Sequence, residues 1–260
     1  PPLCMTILAI VLTLLGALST EGAEDADTPI TAEKTLVAWV SLENLDQQGG
    51  SALTMQSGPQ FDAIVFGERA RGRWMAGSDN FRRTQKDQDA NAVETAAPDS
   101  LVQVAIVYQG SDIRVYRNGQ AYVAYEAQNV DLLKLEKHIA VFGLRHVGAG
   151  TGTPLAGSIE DARIYGRALS VQEIWALKPN EASDVKPLAW WDFEGETAND
   201  RAGHFTYHEI SGGTKVEGGR LVLDGKGYLI AARSEAEGFG KFPRSGILGH
   251  RADAWNLQDP

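Results

Sequence analysis

The sequence is nearly devoid of cysteine. Cys4 is the only one in 260 residues, so disulfides cannot staple this chain, and its stability must come from a core. Basic residues are also short: 24 Lys and Arg stand against 34 Asp and Glu, a net charge of −10. That balance excludes nucleic acid as the expected partner, because phosphate backbones are bound by clustered Lys and Arg. There is no Gly-x-Ser-x-Gly, no His-Glu-x-x-His and no P-loop, which removes the common signatures of hydrolases, zinc peptidases and nucleotide binders. Alternating βαβ units are missing too, which argues against a parallel sheet. Long apolar runs are confined to one, TILAIVLTLLGALS, residues 6–19. A bilayer takes roughly 20 helical residues, so this run is too short to span one. It has the length of a secretory signal, with small residues at Ala17 and Ser19, although no Lys or Arg precedes it. The expectation is a signal peptide over 1–23, a secreted, periplasmic or cell-surface location, and no transmembrane segment once it is removed. An acidic linker follows at 24–34.

What the sequence has is glycine, 28 residues of it, and short alternating runs. In TLVAWVSL, Leu36, Ala38 and Val40 fall on one face and Val37, Trp39 and Ser41 on the other. SALTMQ, FDAIVFG and RWMA follow. LVQVAIVY (101–108), DIRVYRNG (112–119), QAYVAYEA (120–127), HIAVFGL (138–144) and GSIEDARIY (157–165) are rich in β-branched and aromatic residues. Asn118-Gly119 predicts a two-residue hairpin, since a type I′ turn needs positive φ twice. SVQEIWAL (170–177) predicts one short helix, with Ser170 and Glu173 spaced as a capping box. Residues 77–100 are polar and long for a connector, which predicts a functional or a mobile loop. Strand signals return after Pro187 in LAWWDFE, GGRLVLDGKG and YLIAAR. The tail at 234–260 has no clear period.

The order VAIVYQGSDIRVYRNGQ, then IAVFGL, then GSIEDARIYGRALSVQEI resembles the second half of a LamG-like jelly roll of the concanavalin A-like lectin/glucanase superfamily. LVAWV is similar to an earlier strand of that fold, and the likeness covers about 35–178. The implied fold class is all-β: an antiparallel two-sheet jelly-roll sandwich with one short helix on its C-terminal side. The family's opening, an aromatic strand ending Phe-(Asp/Glu), a turn, a strand ending Asp-Gly and a Tyr-containing strand, is found at 188–230, behind the closing strand. Two readings stay open. Residues 187–233 either begin a truncated second module or fold back as permuted opening strands of one roll spanning 35–233. A few strands alone are marginal, and an incomplete first module exposes sheet edges, which favours the second. That reading requires Trp190 or Trp191 to face the core built by 35–178.

The superfamily includes glycoside hydrolases, but their Glu-x-Asp-x-x-Glu strand is not present. Adjacent Glu160 and Asp161 would point to opposite faces of a strand. Asp192, Glu194 and Glu196 alternate, with solvation at a strand end as their expected fate. His204 and His208 are a weak metal pair. By resemblance, a structural calcium is expected at Asp161, Glu194 and Asp200, oxygen ligands being required; exposed carboxylates are the alternative. For ligand binding the candidates are Trp74, Asp79, Arg82 and Arg83 around the long loop, with Asn80 and Phe81 beside them, and His146 with Arg145 on a second rim. Trp39, Trp175, Trp190 and Trp191 are expected in the core. No catalytic residue is assigned. The resemblance implies a secreted, non-catalytic carbohydrate-binding or adhesion module whose partner is a glycan or polysaccharide. One alternative is the N-terminal part of a secreted, levanase-like glycoside hydrolase with a downstream catalytic domain, whose opening Trp-x-Asn-Asp-Pro the tail AWNLQDP resembles. Another is a structural cell-surface protein-interaction domain.

Overall fold

The computed structural model describes residues 33–127, 138–149 and 153–232. The expected signal peptide, nearly all of the linker and the irregular tail lie outside the described residues.

Two antiparallel sheets face each other. The first has the order β12 (Lys215–Glu217), β13 (Arg220–Asp224), β9 (Ala156–Tyr165), β1 (Glu33–Leu42), β5 (Val102–Gln109), β6 (Asp112–Arg117), β7 (Gln120–Glu126), and β10 (Ala189–Trp191) also pairs with β9. The second runs β11 (Tyr207–Ser211), β14 (Tyr228–Ala232), β8 (Ile139–Gly143), β2 (Ser51–Ser57), β3 (Gln60–Phe66), β4 (Trp74–Ser78). This is the jelly-roll sandwich that the sequence predicts.

Local chemistry accounts for the elements. Asn118 and Gly119 both take positive φ, 50° and 72°, and join β6 to β7. Ser170 and Glu173 close a capping box on the short α-helix α1, Val171–Ala176. β1 is buried on both faces, and its residues show why. Leu36, Ala38, Val40 and Leu42 enter the core between the sheets. Val37 and Trp39 pack with Tyr165, Leu169, Ile174 and Leu177, so α1 and its flanking segments cover the outside of the first sheet.

The late strands share both sheets with the early ones. β10 and β13 lie one after the other along β9, with Trp191 opposite Ala162 and Leu221 opposite Ile159. β14 pairs with β8. Trp191 is fully buried, edge-on to Phe142 at 5.2 Å and beside Phe205. One apolar cluster therefore contains side chains from both stretches. Residues 192–196 follow directly on a strand end, and Glu194 and Glu196 are exposed there, the solvation that the sequence predicts. β10 stops at Trp191, and Phe193 takes φ 53° and drops its ring against Phe142, 5.8 Å away. No strand imposes alternation on Asp192, Glu194 and Glu196.

Candidate functional site

The long loop is clamped along its length. Glu94 is the main anchor: it accepts from Trp74 Nε1 at 2.8 Å and from the amides of Thr95 and Ala96. Arg117 grips it with Nε at 2.8 Å and Nη2 at 2.6 Å. Burial pushes the Glu94 carboxyl up, but Arg117 and the Trp74 indole outweigh it and hold its pKa at about 2. Arg73 donates to the carbonyls of Asp89 and Asn91, and the Tyr125 hydroxyl donates to that of Arg83.

This anchoring corrects most of the expected ligand set. Trp74 is 0% exposed and tilts against Phe66 at 4.8 Å, so neither ring face can meet a sugar. Arg83 is buried, donating from Nε to Asp62 Oδ1 and from Nη2 to Asp79 Oδ1, both at 2.7 Å. Asp62 also receives Lys34 Nζ at 2.5 Å, and Lys34 sits over the Tyr108 ring. Two cations and two carboxylates thus close one end of the sandwich. Burial pushes Asp62 up, yet Lys34 and Arg83 hold it below its ordinary value. Asp79 is consumed in this network and in an ion pair with Arg82. Of Trp74, Asp79, Arg82, Arg83 and His146, the residues Arg82 and His146 keep access to solvent. His146 stacks on Phe61 at 4.5 Å, and burial lowers its pKa. Asn80 and Phe81 take φ of 50° and 55°, and Arg69 lies over the Phe81 ring.

The calcium ligands are not brought together. Asp161 is buried and pairs with Arg163 through both oxygens. Asp200 is spent on main-chain amides: Trp190 and Ala202 donate to Oδ1, His204 and Phe205 to Oδ2. Glu194 is exposed and accepts from Asn180 Nδ2 at 2.7 Å. Among the described residues there is no group of three His, Cys, Asp or Glu able to hold a metal. The three carboxylates do not fit a calcium ion.

Glu194 instead lines an open cleft of about 540 Å³ with Asn180, Asp192, Gly195, Thr197, Asn199 and Arg201. The turn at Phe193 forms one wall, and Asn180, at φ 60°, enters from beyond α1. Arg201 stands over the Trp190 ring at 4.2 Å and donates to Asp192 Oδ2 at 2.6 Å. Asp200, between the lining residues Asn199 and Arg201, accepts from four main-chain amides. The cleft offers carboxylate, amide, hydroxyl and guanidinium groups, the means of matching a polyhydroxyl ligand. Sequence reasoning missed it, although the polar run EGETANDRAG was a signal.

Trp175 is a second departure. It was expected in the core but is 73% exposed, set against Gly119 at the hairpin tip. Among the described residues no helix is long and apolar enough to cross a membrane.

A laminin-G-type family model, described as the concanavalin A-like lectin/glucanases superfamily, matches residues 19–175. The chain belongs to this family. The match to the laminin-G-type model ends before β10, so the cleft lies beyond it. Similar solved structures include domain 4 of an extracellular arabinanase from Geobacillus stearothermophilus in complex with arabinotriose, at 16% identity and TM-score 0.45, covering 56% of this chain and 68% of that one. A candidate carbohydrate binding protein from Bacteroides ovatus is 12% identical at TM-score 0.46, over 80% of this chain and 55% of its own length. A SAP-like pentraxin from Limulus polyphemus is 12% identical at TM-score 0.42, over 79% and 84%. No curated protein sequence matches the chain.

Proposed function

We propose that this laminin-G-type chain is a secreted, non-catalytic carbohydrate-binding module, and that a glycan docks in the cleft between Asn180 and Arg201. The observation that carries the reading is the convergence of Asn180, Glu194, Thr197, Asn199 and Arg201 on one open concavity. Membership of a lectin-containing superfamily supports it, as does the signal-like run at 6–19. In the same reading residues 187–233 are the opening strands of the roll, displaced behind its closing strand; the pairing of β10 and β13 with β9 supports this. A neutral hydrogen bond contributes about 1 kcal/mol, so Asn199→Ala and Thr197→Ala should each weaken glycan binding roughly fivefold with unchanged melting temperature. A glycan array followed by calorimetry tests this, with Trp175→Ala as the control. Binding indifferent to both cleft substitutions would sink the assignment. A protein-interaction role is the second reading, favoured by the exposure of Trp175; binding to no glycan, with a protein partner lost on Trp175→Ala, would establish it instead.

A further inference from the structure

The misfit of calcium has a specific structural cause, and that cause is Arg163. We propose that the Arg163 guanidinium is the built-in cation of this sandwich, filling an oxygen cage of the kind that hard metal ions take, so that the junction of closing strand, helix and late strands is independent of calcium.

Four oxygen contacts define the cage. Nε donates to Asp161 Oδ1 at 2.8 Å, and Nη2 donates to Asp161 Oδ2 at 2.7 Å and to the carbonyls of Lys178 and Glu181, each at 2.8 Å. A carboxylate with two main-chain carbonyls is a characteristic calcium ligand set, yet here a fixed positive charge already occupies its centre. The remaining capacity of Asp161 Oδ2 is taken by the Asn180 amide at 2.7 Å and by Trp190 Nε1 at 2.8 Å. A divalent ion reaching the same oxygens would meet the guanidinium at contact distance in a buried site, where like charges repel most.

The cation also lies over two indole rings. Arg163 Cζ lies 5.1 Å from the Trp39 ring and 4.6 Å from the Trp190 ring, and Arg201 Cζ lies over the Trp190 ring at 4.2 Å. Trp39 belongs to β1, Arg163 to β9 and Trp190 to β10; Lys178 and Glu181 follow α1. One guanidinium therefore joins four segments of chain. Its planar fork is what makes this possible: a lysine ammonium carries the charge but cannot span the carboxylate and two carbonyls while lying over two indoles. Asp200, the other buried carboxylate expected to bind calcium, has both oxygens filled by amides.

The inference is independent of the glycan reading, and thermal melts of the full chain test it. The wild type should melt at the same temperature in millimolar calcium and in EDTA. Arg163→Lys should lower the melting temperature by roughly 5 °C, equally in both buffers. Stabilisation of the wild type by calcium overturns the proposal, and so does an Arg163→Lys variant that melts like the wild type. Should the variant fail to fold, calorimetric titration of the wild type with calcium chloride decides. No heat of binding supports the built-in cation; saturable one-to-one binding refutes it.

Discussion

Glu94→Gln should uncouple the long loop from the body of the sandwich and remove an acid-sensitive share of the stability. The Glu94 side chain is fully buried, and its pKa falls from an ordinary 4.5 to about 2, burial being outweighed by Arg117 and the Trp74 indole. Each unit corresponds to about 1.4 kcal/mol, so the ionised carboxylate contributes about 3 kcal/mol near neutrality. The sign follows from the depressed value. The contribution is fully present above the unfolded-state pKa and is lost as pH falls from about 4.5 through about 2. Glutamine keeps an acceptor for Trp74 but loses the charge that Arg117 grips. For a sandwich of this size about 3 kcal/mol corresponds to a fall of roughly 6–12 °C in melting temperature. Urea titrations at neutral pH and stepwise toward pH 2 measure both effects. The variant should be weaker at neutral pH and flatter across the acid range, with new proteolytic cleavage between Arg82 and Val93. Equal stability at neutral pH, or an acid profile parallel to the wild type, would refute the clamp.

Other substitutions probe the core and the closed end. Trp191→Ala should cost about 3–5 kcal/mol by urea denaturation, because it opens a cavity against Phe142 and Phe205; a loss under about 1 kcal/mol would mean that the late strands add little to the core. Lys34→Met leaves the buried Lys34, Asp62, Arg83 and Asp79 network one positive charge short, and should cost about 3–5 kcal/mol at neutral pH. Protonation of Asp62 relieves that imbalance, so the deficit should shrink on acidification; a deficit constant with pH would argue against the network.

Much of this fold is written in local signals. Asn118-Gly119 and the Ser170/Glu173 box each specify a backbone geometry within a few residues, and both elements form as read. Burial of side chains in the loop and helix was harder to read. Trp74 sits beside a polar stretch and looks like a platform, but Glu94, twenty residues on, folds back to cap its indole nitrogen. Nothing short-range encodes that return. Trp175 was legible in part: Val171 and Trp175 are four apart on one helix face, whereas Ile174 and Leu177 form another, and the buried Ile174 takes the inner face. The cleft joins Asn180, just after α1, to residues 192–201, just after β10, a meeting with no sequence period. The three carboxylates read as a calcium set stand apart for a related reason. The types of Asp161 and Asp200 suit a metal, but their lone pairs were already committed to Arg163 and to main-chain amides.

The placement of β10, β13 and β14 sets an order of events for folding. β9 keeps one open edge until Ala189–Trp191 and Arg220–Asp224 arrive, and β8 waits for Tyr228–Ala232. During synthesis from the N-terminus, everything up to α1 emerges before either sheet can be finished. The intermediate presents two unpaired strand edges and an uncovered Phe142, a template for self-association. Closure depends on contacts between distant parts of the chain, which form slowly. Refolding yield should therefore fall with protein concentration, and a separate peptide carrying 187–232 should compete for the open edges and suppress the aggregation.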